Sequence, residues 1–153
     1  MNPTVISALQ AALVVHWTAI ETYTGQAAHF LRNGYPLLAG KAKEDAEEER
    51  GHAAKLLARL EFWDQSPIYT HSSPNWPRLP DFNGILAANL QLENDAAAIE
   101  RAGILTARAA GDERTAEILA DNLKGSEEAI EAITAAQRLI VAIGLDNYLA
   151  NQA

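Results

Sequence analysis

A carboxylate and an imidazole stand three residues apart in the sequence, at Glu49 and His52. Residues three or four apart lie on the same face of an α-helix, so both side chains can reach one metal ion. Two-metal sites in four-helix bundles take such a Glu-x-x-His pair from each of two helices, and a lone Glu from each of the other two. Because the chain contains a single pair, the spacing predicts either half of a two-metal site or a metal site of another kind.

Two further polar residues interrupt stripes of the sequence that are otherwise apolar. His16 lies on the predicted inner face of the first helix, and Glu93 lies on that of the third. Burying a carboxylate or an imidazole is costly unless the group is paired or bound to a metal. His16, Glu49, His52 and Glu93 are therefore candidate ligands of one site, and two imidazoles with two carboxylates suit a single zinc or iron ion.

Each candidate ligand also has an ordinary structural interpretation. The Glu-x-x-His pair overlaps a dense charge run, residues 44–50, which is typical of the solvated edge of a helix. For His16 the alternative is a core histidine whose ring nitrogens bond to neighbouring side chains. For Glu93 it is an ion pair with Arg101 or Lys124. Periodicity alone does not decide between these alternatives and a metal site.

Length, charge and cysteine content limit the class of protein. A chain of 153 residues fits a single domain over residues 1–153. A formal net charge of -8 disfavours nucleic acid as a partner, and the absence of cysteine excludes disulfides and thiolate metal sites. The apolar run at residues 11–20 is too short for a membrane span and lacks the charged flank of a signal peptide. We therefore expect a cytoplasmic protein whose partners are metal ions.

Helical periodicity runs through nearly the whole chain. Asn followed by Pro at positions 2 and 3 is a strong helix start, and Gly144 is a typical helix end. The predicted helices run from Pro3 to about Asn33, from about Pro36 to Trp63, from about Gly84 to Ala110 and from Asp112 to about Ile143, with a short fifth helix within 145–153.

A long proline-rich connection joins the second and third predicted helices, from Trp63 to Asn83. Its roughly 20 residues span up to about 65 Å at about 3.3 Å per residue, whereas a helix of about 28 residues is about 42 Å long. The connection can therefore run the length of a bundle and make the two helices parallel, and its apolar anchors would be Ile68, Tyr69, Trp76 and Phe82. The alternative is a disordered linker. The sequence predicts an all-α fold: a four-helix bundle with one long crossover between helices two and three.

Several segments are similar to segments of the bacterioferritins, and the resemblance covers nearly the full chain. The most specific similarity is at residues 143–149, which read Ile-Gly-Leu-Asp-Asn-Tyr-Leu. This segment is very similar to the ending Gly-Leu-Gln-Asn-Tyr-Leu of the family. Glu49-x-x-His52 falls on the family's second-helix ligand pair, Glu93 on its third-helix ligand, and Tyr23 on a tyrosine beside the metal centre. The resemblance implies a ferritin-like bundle, iron storage in a hollow homo-oligomer, and Fe(II) oxidation inside each subunit.

The chain departs from the family pattern at three ligand positions. His16 stands where the family has its first-helix Glu, and Ser126 and Ala129 stand where it has a second Glu-x-x-His. The four candidate ligands that remain imply one ion, iron or zinc, with weak or absent ferroxidase activity. The alternative is a catalytically inactive structural subunit that assembles with itself or with an active partner.

The haem position of the family is also changed. Arg50 stands where the family has its haem-binding methionine, so the resemblance implies no haem bound by that route. The haem would lie on a two-fold axis between subunits. We therefore hypothesise that Arg50 pairs with Glu21 across a symmetric dimer while Trp17 fills the vacated space. Two ordinary solvated charges are equally compatible with the sequence.

Overall fold

Five α-helices make up most of the part of the chain that the structure, a computed structural model, describes, which is residues 2–68, 70 and 76–153. Helix α1 spans Pro3–Arg32, α2 spans Pro36–Phe62, α3 spans Phe82–Ala109, α4 spans Glu113–Ile143 and the short α5 spans Leu145–Ala150. No strand occurs within these described ranges. The prediction of an all-α bundle of four long helices with a short C-terminal helix is confirmed.

The helix boundaries follow from capping residues. The Asn2 side chain accepts a hydrogen bond from the backbone N–H of Thr4 at 3.0 Å, which starts α1. Asp81 and Asp112 cap the first turns of α3 and α4 in the same way, with bonds of 2.9 and 3.0 Å. Helix α4 ends before Gly144, whose φ of +86° is readily adopted only by glycine. The sequence predicted these boundaries to within about two residues.

The two described ends of the connection between α2 and α3 lie near opposite ends of α1. At its start, the Gln10 side chain donates to the carbonyl of Ser66 and accepts from the N–H of Ile68, both at 3.0 Å. At its end, the N–H of Leu79 donates to His29 Nε2 at 3.0 Å. Gln10 and His29 are about 28 Å apart at about 1.5 Å per residue. The connection therefore crosses the bundle, and α2 and α3 are parallel as predicted.

The crossover has fewer apolar anchors than the sequence predicts. Ile68 is 61% exposed and Trp76 is 49% exposed, and Tyr69 lies outside the described residues. The Trp76 ring nevertheless lies against Gly25 of α1, where an added Cβ would be 3.1 Å from it. The prediction of an apolar anchor is therefore wrong for Ile68 and only partly right for Trp76. It is confirmed for Phe82, which is buried in the core at the start of α3.

A polar layer separates the two larger apolar clusters of the described residues, and a small third cluster of Ala19, Tyr23 and Ala46 lies beside it. The first cluster, around the start of α1, includes Val5, Leu9, Leu13, Leu56, Leu60 and Leu119. The second, around the end of α1, includes Phe30, Leu38, Phe82, Ile85, Leu86 and Ile140. Helix α5 joins the second cluster through Tyr148, whose ring centroid lies 5.6 Å from that of Phe82. The buried polar side chains of α1, α2 and α3 lie between the two clusters.

The apolar stripe of helix α4, which is Leu119, Leu123, Ile130, Ile133 and Ile140, is only partly buried. Leu119 and Ile140 are buried, but the inner positions Leu123, Ile130 and Ile133 are only half-buried. The reason is that α4 packs mainly against α3 and touches α2 much less. A space therefore remains between α2 and the second half of α4.

The apolar composition of α1 is accounted for by packing. Among the described helices, α1 alone is long and apolar enough to cross a membrane by length and composition. Half of its most apolar stretch is buried inside the bundle, where α1 contacts α2 and α3. Such burial is what a core helix requires.

Candidate metal centre

Three of the four predicted ligands meet in the polar layer. His16 comes from α1, and Glu49 and His52 come from one face of α2. Their exposed fractions are 0, 5 and 7%. Among the described residues these three side chains form the group of potential metal ligands, with ligand atoms all within 4.8 Å of one another. The alternative of a solvated helix edge is therefore wrong for the Glu-x-x-His pair.

His16 is tightly bound to Glu49. Its Nδ1 lies 2.5 Å from Glu49 Oε2, a hydrogen-bond distance for two buried groups. The ring of His52 meets the ring of His16 edge to face, with centroids 5.1 Å apart. His52 Nδ1 lies 3.8 Å from the same Glu49 oxygen, which is too far for a hydrogen bond. Glu49 is thus the shared neighbour of both imidazoles.

Glu93 is buried in the same layer but outside the close group. One of its oxygens accepts a short hydrogen bond from the Tyr23 hydroxyl, and its Oε2 has no hydrogen-bond partner in the described part of the chain. Arg101 and Lys124 were the alternative ion-pair partners. Arg101 instead lies beside Glu127 and Lys124 beside Glu128, and both of these glutamates belong to α4. Glu93 is therefore held by Tyr23 with one carboxyl oxygen left available.

Glu100 is a third buried carboxylate of the described residues, and it was not among the ligands predicted from the sequence. It is fully buried on α3, and its Oε1 lies 2.9 Å from His16 Nε2. The contact is not aligned as a hydrogen bond, and neither Glu100 oxygen has a hydrogen-bond partner among the described residues. The spacing in the sequence does indicate it, because Glu100 lies seven residues after Glu93 and therefore on the same inner face of α3.

Burial and neighbouring charges shift three pKa values in the layer. Burial raises the pKa of Glu93, and the charge of Glu49 adds to the rise. Burial would also raise the pKa of Glu49, but its bond to His16 and the more distant His52 outweigh burial and lower it. For His16 burial lowers the pKa, but the carboxylates of Glu100 and Glu49 outweigh burial and raise it to about 9. Near neutral pH, His16 is therefore a cation between two carboxylates.

Helix α4 contributes space and small polar groups to the site. A Cβ added at Gly125 would lie 2.4 Å from His52 Cε1 and 2.7 Å from His52 Nε2, so the imidazole packs directly on the α4 backbone. Ser126 and Asn122 are fully buried beside it. Ala129 lines a cavity of about 160 Å³ below the site. The room for the His52 ring thus depends on a glycine at position 125.

The polar layer has the features expected of a site that binds an ion. The buried atoms without a hydrogen-bond partner within the described ranges include His52 Nδ1, Glu93 Oε2, both Glu100 oxygens, Asn122 Oδ1 and Ser126 Oγ. Such atoms are rare in proteins and are normally satisfied by water or an ion. Because they combine imidazole nitrogen with carboxylate oxygen, they fit iron, zinc or manganese.

Arg50 has partners within its own chain. It donates to Glu47 one turn earlier on α2 and, at 3.2 Å, to the hydroxyl of Thr24 on α1. Trp17 is buried. The hypothesis that Arg50 pairs with Glu21 of a second subunit remains a prediction about an assembly.

Comparison with known proteins adds one family match. The model of the ferritin-like domain matches residues 6–140. The match runs from the first turn of α1 to near the end of α4, so it includes every residue of the polar layer. No curated protein matches the chain.

Proposed function

Since the chain belongs to the ferritin-like domain family, we propose that it binds one iron or zinc ion inside its bundle. The proposed ligands are His16, Glu49, His52 and Glu93. The observation that carries the proposal is the convergence of three of them within 4.8 Å in a buried layer. Glu93 supports it as the fourth ligand, because one of its oxygens is bound by Tyr23 and the other has no partner among the described residues.

The proposed ligands have different roles. Glu49 supplies the negative charge that attracts a cation, because its lowered pKa keeps it ionised. His52 supplies a neutral nitrogen ligand, and its ring is fixed by packing on Gly125. Glu93 loses its proton when a cation binds, since metal ligands must be deprotonated. Tyr23 orients Glu93. A bound iron ion would supply redox chemistry at this place, and a zinc ion would supply charge alone.

Metal analysis of the purified protein tests the proposal. The full chain, equilibrated with Zn²⁺ or with Fe²⁺ under anaerobic conditions and dialysed, should retain about one tightly held ion per chain. His52→Ala should lose that ion. His29→Ala is the matched control, because His29 binds the crossover far along α1. Equal metal content in the wild type and His52→Ala would contradict the proposed site.

We also propose that Fe(II) oxidation by this chain is slow or absent. The resemblance to bacterioferritins places two of the family's ligands at Ser126 and Ala129, which offer a hydroxyl and a methyl group. A single iron cannot deliver two electrons to O₂, so the fast two-iron step should be missing. Stopped-flow absorbance after mixing with Fe²⁺ and O₂ measures this step. Rapid oxidation of two Fe²⁺ per chain would refute the proposal.

A bacterioferritin-like role in iron storage, in a cytoplasmic homo-oligomer, extends the same proposal. It is supported by the ending at residues 143–149, which forms the end of α4 and most of α5. Analytical ultracentrifugation of the full chain tests the assembly. A large closed oligomer that takes up iron supports storage, and a monomer at micromolar concentration would contradict it.

One observation favours a second candidate function, that of a structural ferritin-like subunit without bound metal. His16 lies between two carboxylates, with 2.5 Å from Nδ1 to Glu49 and 2.9 Å from Nε2 to Glu100. A protonated imidazole in this position supplies the positive charge that a metal would otherwise bring. Under this function the purified chain contains no stoichiometric metal, and His52→Ala changes nothing in metal content.

A further inference from the structure

Glu100 is a buried carboxylate that the proposed site does not use. It lies on the Nε2 side of His16, whereas Glu49 lies on the Nδ1 side. Asn122 of α4 is also on the Nε2 side, with its Nδ2 3.4 Å from that nitrogen. Glu100 and Asn122 are both fully buried. Glu100 Oε2 and Asn122 Oδ1 both lack a hydrogen-bond partner in the described part of the chain.

We propose that the Nε2 side of His16 is a second cation subsite, at which His16, Glu100 and Asn122 bind one transition-metal dication such as Mn²⁺ or Fe²⁺. A carboxylate, a carboxamide oxygen and an imidazole suit these ions, since the imidazole disfavours Mg²⁺ and Ca²⁺. When an ion occupies this subsite, Glu49, His52 and Glu93 remain as the ligands of the first site; when the subsite is empty, His16 can serve the first site as well. An ion bound at Nε2 takes the place of the proton that this nitrogen carries in the metal-free chain. The subsite does not require an ion in the first site.

The distances on the Nε2 side are those of atoms that share a metal ion. Two ligand atoms about 2.1 Å from one ion are about 3.0 Å apart at right angles and about 3.4 Å apart in a tetrahedral site. Glu100 Oε1 is 2.9 Å and the Asn122 amide 3.4 Å from His16 Nε2. A half turn of the amide puts Oδ1 in place of Nδ2 at little steric cost, and gives up the long 3.4 Å bond from Nδ2 to the carbonyl of His52.

The other side of the His16 ring has the arrangement that accompanies metal binding. A histidine that binds a metal through one nitrogen usually donates its other N–H to a carboxylate, which fixes the ring. Here His16 Nδ1 lies 2.5 Å from Glu49 Oε2, a short hydrogen bond of this kind in the metal-free chain. Glu49 thus orients His16 with Nε2 facing Glu100 and Asn122.

The subsite does not restore the two-iron chemistry of the family. An ion at Nε2 is separated from an ion beside Glu49 by the width of the imidazole ring. In two-metal sites the ions are about 3.5–4 Å apart and share bridging ligands. The ions on either side of His16 cannot share one carboxylate, so the prediction of slow Fe(II) oxidation is unchanged.

The subsite is tested by titrating the metal-free full chain with Mn²⁺ and measuring binding by calorimetry and by electron paramagnetic resonance. Two classes of bound Mn²⁺ are expected in the wild type. Glu100→Gln, which keeps the shape and removes the charge, should weaken one class by at least about tenfold. His52→Ala should weaken only the other class. Glu127→Gln is the matched control, because Glu127 is an exposed glutamate paired with Arg101.

The outcomes separate this inference from the proposed function. If Glu100→Gln and Glu127→Gln bind Mn²⁺ like the wild type while His52→Ala loses it, the subsite is refuted and the first site stands. If Glu100→Gln loses one class and His52→Ala loses none, the subsite stands and the first site is refuted. Should Glu100→Gln fold poorly, anomalous scattering from wild-type crystals soaked in Mn²⁺ decides. A peak beside His16 Nε2 and Glu100 supports the subsite, and a water there refutes it.

Discussion

Replacing Gly125 with alanine places a methyl group against the ring of His52. The added Cβ would be 2.4 Å from His52 Cε1 and 2.7 Å from His52 Nε2, whereas carbon atoms in contact are about 3.5–4.0 Å apart. The His52 ring is buried and cannot move into solvent without leaving the site. The substitution therefore tests both the packing of α2 on α4 and the position of a proposed ligand.

The magnitude follows from two opposing effects. Alanine is favoured over glycine in a helix by about 1 kcal/mol, and overpacking of a core costs about 1–3 kcal/mol. Gly125→Ala should thus range from neutral to about 2 kcal/mol less stable than the wild type. Gly40→Ala is the control, because a Cβ at Gly40 meets no described atom within 4 Å. It should be about 1 kcal/mol more stable, a rise of about 2–4 °C in Tm.

Urea unfolding of the metal-free variants, with zinc affinity measured on the same preparations, checks both effects. Gly125→Ala should bind zinc at least about tenfold more weakly than the wild type, because the His52 ring no longer keeps its position. Gly40→Ala should bind zinc like the wild type. If Gly125→Ala is stabilised as much as Gly40→Ala and binds zinc normally, His52 does not pack on Gly125 and the description of the site is wrong.

Two further predictions concern α4. The double variant Ser126→Glu and Ala129→His restores the two ligands that the bacterioferritin resemblance places there. It should raise the initial rate of Fe(II) oxidation in stopped flow by at least about tenfold. An unchanged rate would contradict the alignment of α4. Asp112 caps α4; burial would raise its pKa, but bonds from Thr115 and Arg59 outweigh burial and lower it. A lowered carboxyl pKa adds stability above the unfolded value of 3.8. Asp112→Asn should therefore lower the free energy of unfolding by up to about 1 kcal/mol at pH 7. The difference should begin to shrink as the pH falls to 3.8, and should disappear as it falls through the lower pKa of the folded state. A difference that is as large at pH 2 as at pH 7 would show that charge is not the cause.

The sequence was sufficient to predict the helices because local signals mark their ends. Asn2, Asp81 and Asp112 act as caps, and the apolar stripes continue for many turns. The length of the connection between α2 and α3 also predicted that these helices are parallel. The depth of burial along α4 could not be predicted, because it depends on how closely α4 approaches α2, and neither helix encodes that separation by itself.

The site was predicted in part because polar residues on an apolar stripe are visible in a sequence. His16, Glu49 and His52 do meet in the bundle. Glu100 was not predicted as a ligand, because the bacterioferritin resemblance places no ligand at its position. In the folded chain its Oε1 lies 2.9 Å from His16 Nε2, a contact between α1 and α3 that depends on how the two helices pack.

Anomalous scattering at the zinc edge, from crystals of the full chain grown with Zn²⁺, would show whether the polar layer binds a metal ion through His16, Glu49, His52 and Glu93. If it does, a peak should lie within bonding distance of His16, Glu49 and His52, with Glu93 turned toward it. Density without such a peak, in which His16 still links Glu49 and Glu100, would contradict metal binding and leave the structural subunit as the function.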